Sequence, residues 1–216
     1  MTDANYTDIT VLLDRSGSMQ SIKSDMEGGF ASFIEEQKKL PGKCRVSLYQ
    51  FSNEWANIYT DLDIAEVPPL VLNPLGMTAL LDSLGGVISA TGRRLTTMSE
   101  DERPGAVMFL IITDGAENAS REYSVKAIKH LIEEQENKYS WNFIYLGANQ
   151  DAIKVADGLG IPRGKTLTYS TAKVGATMDS LASSVSRYRS GAARGMSKVA
   201  LDDFGSFTED EIDGAV

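Results

Sequence analysis

Two short, unbroken apolar runs constrain this chain most: Ile9-Thr10-Val11-Leu12-Leu13, which stops at Asp14, and Val107-Met108-Phe109-Leu110-Ile111-Ile112, which stops at Thr113-Asp114-Gly115. A strand that is apolar at consecutive positions is apolar on both faces, and it needs a covering layer on each, as central strands of parallel sheets have. Around these runs the apolar period changes to that of helices. Ile22, Met26, Phe30, Phe33 and Ile34 share one helical face, and so do Leu80, Leu81, Leu84, Val87 and Ile88. Val125, Ile128, Leu131 and Ile132 make a third such face. The alternation predicts an α/β fold, a doubly wound and mostly parallel six-stranded sheet. Its other strands are read at residues 45–51, 55–60, 142–146 and 165–169, with a short helix near 152–159. The link between 51 and 55 is too short for a helical crossover, so the 54–60 strand is expected to be an antiparallel edge.

Gly28-Gly29 costs the first helix about 1 kcal/mol per glycine, which implies close packing against a neighbour. The last long helix starts at Val174 and repeats Met178, Leu181, Val185 and Tyr188 over about two heptads, too short a run for a coiled coil, so packing on the sheet is expected. After Arg189 the pattern breaks at Ser190-Gly191-Ala192-Ala193-Arg194-Gly195. Residues 201–216 hold six acids and no Lys or Arg, so six of the nine net negative charges lie there. The expected organisation is one domain over 1–190 and an acidic C-terminal tail over 191–216. With Phe204, Phe207 and Ile212 too scattered to fold alone, the tail reads as a linear interaction element outside the core.

Composition removes several function classes. With 21 basic against 30 acidic residues, a net charge of −9 repels phosphate backbones and anionic lipid, so neither nucleic acid nor membrane is an expected partner. No apolar run approaches the ~20 residues of a membrane span. The start, Met1 through Asp8, lacks a basic segment and an apolar stretch, so a cytoplasmic protein is expected. Cys44 is the sole cysteine and His130 the sole histidine, which excludes an internal disulfide and a zinc site built on Cys and His.

In open parallel sheets ligands gather outside the carboxyl ends of the strands. Three such loops carry short oxygen side chains: Asp14, Ser16 and Ser18 after the first strand, Thr78 in Gly76-Met77-Thr78-Ala79-Leu80, and Asp114 after the second apolar run. Carboxylates and hydroxyls without imidazole or thiolate suit a hard cation, Mg²⁺ first, with Mn²⁺ or Ca²⁺ as alternatives. The Asp-x-Ser-x-Ser, Gly-x-Thr-x-Leu and Thr-Asp-Gly pieces, in this order, resemble the von Willebrand factor A domain and its metal-ion-dependent adhesion site. The likeness runs from about residue 6 to about residue 190, and the short free-standing bacterial members, including those of tellurium resistance, are the most similar.

That resemblance implies a Rossmann-like fold and a metal held by Ser16, Ser18 and Thr78, with Asp14 and Asp114 binding directly or through water. The last coordination position then goes to an Asp or Glu of a protein partner, because neutral hydroxyls leave the cation under-neutralised. The expected function is a non-enzymatic, Mg²⁺-dependent protein-binding module. Glu209, Asp210 and Glu211 of the tail are candidate carboxylates for the chain's own site or a neighbour's.

The alternatives are a metal-dependent phosphate-ester hydrolase using Asp14 and an assembly subunit with a structural metal. Phosphoryl-transfer enzymes of the haloacid dehalogenase type need a second Asp two residues after the first, and Ser16 stands there. A phosphate loop at Gly164-Lys165-Thr166 lacks its first glycine, since Leu159 occupies that position, and no Gly-x-Gly-x-x-Gly follows the first strand. His130, Trp55 and Trp141 read as surface or packing residues and Cys44 as a buried small hydrophobe. Glu117-Asn118 is left between shaping the metal loop and starting a helix.

Overall fold

The computed structural model describes residues 2–148 and 152–216. Six strands form one sheet in the order β3-β2-β1-β4-β5-β6. They are β1 (Asp3–Asp14), β2 (Lys43–Phe51), β3 (Trp55–Asp63), β4 (Pro104–Thr113), β5 (Asn142–Ala148) and β6 (Thr166–Tyr169). Every pairing is parallel except β2 with β3, so the antiparallel edge lies where the short 51–55 link requires it. β1 starts at Asp3, well before the apolar run, because Asp3 and Thr7 still pair with Pro104 and Ala106 across an irregularity in register.

The helices cover both faces. Ile9, Val11 and Leu13 of β1 face a core shared with α1 (Lys23–Lys38) and α5 (Val174–Ala193). Leu12 faces the other, with α2 (Leu80–Thr96), α3 (Val125–Tyr139) and α4 (Ala152–Gly158). Met178, Leu181, Val185 and Tyr188 of α5 are all buried in the first core, so that seam packs on the sheet. The two adjacent glycines of α1 divide. A Cβ on Gly29 would sit 2.7 Å from Met178 Cγ, whereas one on Gly28 would meet nothing within 4 Å.

The C-terminal segment differs from the expected linear element. Residues 198–216 contain α6 (Lys198–Phe204) and α7 (Glu209–Ala215), and Leu201, Phe207 and Ala215 enter the first core. The Arg187 guanidinium donates to both carboxylate oxygens of Glu211 at 2.8 Å and to Ser206 O at 2.8 Å. Ser170 N donates to Ala215 O at 2.8 Å, and Phe207 N to Gly164 O at 2.9 Å. Thus Glu211, expected to be a free carboxylate for a metal, is held on α5 instead. The scattered apolar residues fold because α5 and β6 supply the surface they lack. Among the described residues no helix is long and apolar enough to cross a membrane.

Candidate functional site

Strand order reverses at β1, whose chain neighbour β2 lies on one side and β4 on the other, so a crevice opens where β1 and β4 end. Asp14, the last residue of β1, is fully buried there. Its Oδ1 accepts the Ser16 N–H at 2.6 Å, and its Oδ2 accepts the hydroxyl of Thr113, the last residue of β4, at 2.6 Å. Ser16 Oγ and Ser18 Oγ lie 3.1 Å apart, and Ser18 Oγ donates to Asp114 Oδ1 at 2.6 Å. Thr78 completes the group. A Cβ placed on Gly115 would lie 2.9 Å from Thr78 Oγ1, 3.5 Å from Ser18 Oγ and 3.7 Å from Asp14 Oδ2. Oxygens from three separated loops therefore face one small space, and a glycine at 115 leaves it open.

Backbone hydrogen bonds hold these loops. Arg15 N donates to Phe51 O at 2.7 Å, Leu75 N to Arg15 O at 2.8 Å and Gly17 N to Gly76 O at 3.1 Å. Gly76 takes a φ of 85°, and Met77 N donates to Asn53 Oδ1 at 2.6 Å. Thr78 N donates to Asn118 Oδ1 at 2.9 Å while Asn118 N donates to Thr78 O at 3.0 Å, a reciprocal clasp between the second and third loops. Glu117 and Asn118 are thus loop-shaping residues, since α3 begins only at Val125. The Glu117 carboxylate is spent on the N–H groups of Leu81, Ala119 and Ser120 and on the Ser120 hydroxyl. Asp82 is spent in the same way on Arg121, Glu122 and Tyr123.

Thr113 and Asn53 are site-building residues to which the sequence alone assigned no role, and Asn118 takes the loop-shaping one of its two expected roles. Thr113 was legible as the residue before Asp114, but its bond to Asp14 crosses 99 positions. His130 is exposed on α3, and no group of three or more His, Cys, Asp or Glu among the described residues could hold a metal. The donors that converge here are two carboxylates and three hydroxyls, the set a hard cation prefers. Burial pushes Asp14 up to about 6, against hydrogen bonds from Thr113 and Ser16, with Asp114 adding to the rise. Burial also raises Asp114. Two carboxyls disfavoured as anions by their surroundings are what a divalent cation would relieve.

No family model and no curated protein sequence matches the chain. Solved structures do. Proximal thread matrix protein 1 of the mussel byssus, in a form with a zinc-occupied MIDAS motif, superposes with a TM-score of 0.57 at 16% identity, over 84% of this chain and 46% of that one. The ArnB paralog VWA2 from Sulfolobus acidocaldarius gives 0.54 at 17% identity, over 81% of this chain and 44% of that one. The vWF domain of the type V pili tip protein Mfa5 from Porphyromonas gingivalis gives 0.53 at 10% identity, over 83% and 94%. The chain thus spans less than half of the mussel and archaeal proteins and nearly all of the pilus-tip domain. At these identities the likeness is one of fold, and the fold of this chain is that of the von Willebrand factor type A domain.

Proposed function

We propose that the chain is a metal-dependent protein-binding module. Ser16, Ser18 and Thr78 hold Mg²⁺, Asp14 and Asp114 bind it directly or through water, and an Asp or Glu of a protein partner takes the remaining position. The observation that carries this reading is the convergence of Thr78, Ser18 and Asp14 oxygens on the space beside Gly115. The zinc-occupied MIDAS of the mussel protein, which shares the fold, supports a divalent metal there. Uncharged hydroxyls neutralise little of the metal's charge, so an incoming carboxylate gains a strong bond.

A hydrolase reading needs a proton-transfer group near the metal. The neighbouring Glu117 and Asp82 carboxylates are already filled by backbone N–H groups, which favours recognition over turnover.

Calorimetry tests the metal. Mg²⁺ binding to the whole chain is expected to disappear in Asp14→Ala and to weaken in Thr78→Ala, with the circular dichroism of both unchanged. Undiminished affinity in both removes the site. Affinity capture in Mg²⁺ and again in EDTA tests the recognition step. Turnover of p-nitrophenyl phosphate that needs Mg²⁺ and is lost in Asp14→Ala would put the hydrolase first.

A further inference from the structure

A second concavity lies at the opposite end of the sheet, where β4 and β5 begin and α2 and α3 end. It is a cleft of about 590 Å³. That is the size of a small-molecule site, commonly about 300–1,000 Å³. Ile88, Val107, Leu131 and Trp141 make its apolar floor.

Gly92 of α2 opens onto this cleft, and a Cβ there would meet no atom within 4 Å. A glycine inside a helix costs about 1 kcal/mol relative to alanine. On the same helix Gly85 and Gly86 have a packing reason, since a Cβ would strike Tyr123 and Trp55 respectively. Gly92 has none: it lines the cleft, and a Cβ there would enter open space.

The rim is cationic on a chain whose net charge is −9. Arg93 is exposed at the lip, and its guanidinium makes no hydrogen bond or ion pair among the described residues. Lys138 lines the other side, 2.7 Å from Glu134. Arg103 also lines the cleft, but its guanidinium is spent on the carbonyls of Leu95, Thr96 and Met98 at the end of α2. Glu100 is the acidic side chain in the lining.

We propose that this cleft binds a small amphipathic anion, an aliphatic or aromatic carboxylate whose apolar body lies on Trp141 and Leu131 and whose charge meets Arg93 and Lys138. The site is independent of the metal loops. The ligand class follows from an apolar floor beside an unspent guanidinium, which pairs with carboxylates in a planar, two-bonded geometry.

The chain has two tryptophans, so its indole N–H NMR signals report both ends of the molecule at once. Trp141 floors the cleft and Trp55 sits by the metal loops. The probes are sodium octanoate and octanol, titrated into the full chain in EDTA. Octanoate is expected to shift the Trp141 signal saturably and leave that of Trp55 in place. Octanol, without the charge, should bind about tenfold more weakly, the loss of one charge-assisted contact. Gly92→Leu fills the cleft and should abolish the shift. Arg93→Glu, a change at an exposed position outside the packed core, should weaken octanoate by about tenfold or more while leaving octanol unchanged. Absence of a saturable Trp141 shift, or unreduced binding in a folded Gly92→Leu chain, overturns the site. Equal affinity for octanoate and octanol, or no effect of Arg93→Glu, overturns the choice of an anion.

Discussion

The neighbouring glycines of α1 should respond to the same substitution with opposite signs. In Gly28→Ala the new methyl meets nothing within 4 Å on an exposed position, so the change returns only the helix propensity that glycine lacks, about 1 kcal/mol of added stability. In Gly29→Ala the methyl would lie 2.7 Å from Met178 Cγ and 3.0 Å from Met178 Cβ. The second contact matters more, because Cβ moves only with the α5 backbone. Met178 is buried in the first core, so its side chain cannot swing out into solvent without giving up that burial. Overpacking of this kind costs about 1–3 kcal/mol, which outweighs the propensity gain of about 1 kcal/mol. The two variants should therefore differ by about 2 kcal/mol in unfolding free energy. With a urea slope of about 3 kcal/mol per molar, the midpoints separate by about 0.7 M, Gly28→Ala above the parent and Gly29→Ala below it. Urea unfolding followed by circular dichroism measures this. A Gly29→Ala chain at least as stable as Gly28→Ala would refute the argument that α1 and α5 touch through this glycine.

Asp8 is buried and accepts two 2.8 Å hydrogen bonds from Arg94, so Arg94→Met strands a carboxylate and should cost about 3–5 kcal/mol, most of it recovered in the Asp8→Leu/Arg94→Met double variant. A single-variant loss below about 1 kcal/mol in urea unfolding would contradict that. Burial pushes Glu136 up from 4.5 to about 7 and Lys165 down from 10.5 to about 8. The glutamate's contribution is present below its unfolded value and is lost as pH rises through about 7, while the lysine's is present at high pH and is lost as pH falls through about 8. Stability should therefore pass through a trough near pH 7–8 that Glu136→Gln with Lys165→Met removes, read as unfolding free energy at three pH values; an unchanged profile in that double variant sinks the assignment. Ending the chain at Gly195 removes Leu201, Phe207 and Ala215 from the core and should lower stability by more than about 2 kcal/mol, with no change expected had the segment been a detached tail.

Much of the fold was written locally. Ile9 to Leu13 and Val107 to Ile112 are apolar on both faces, and only a strand inside a two-sided cover tolerates that; the 51–55 link leaves no length for a crossover. Asp14, Ser16, Ser18 and Asp114 sit where these strands stop and Thr78 just before the helix that starts at Leu80, so their order along the chain already pointed to one crevice. The C-terminal segment was the misreading. Its two helices have seven residues each, too short to hold alone, and charge density hid the three apolar side chains that matter. One local signal was present, the Thr208–Glu211 capping box at the start of α7.

What the sequence determined by itself was everything with a short period or a short reach: strand and helix type, the antiparallel edge, and the identity of the candidate ligands. Tertiary structure decided the partners that lie far apart along the chain. Thr113 orients Asp14, Asn118 clasps Thr78, Arg187 holds Glu211, and Gly29 rather than Gly28 meets α5. Each of these depends on a direction as well as a residue type. A side chain's periodicity tells which face it occupies, whereas the atom it meets there is set by the packing of elements whose separation along the chain carries no local trace.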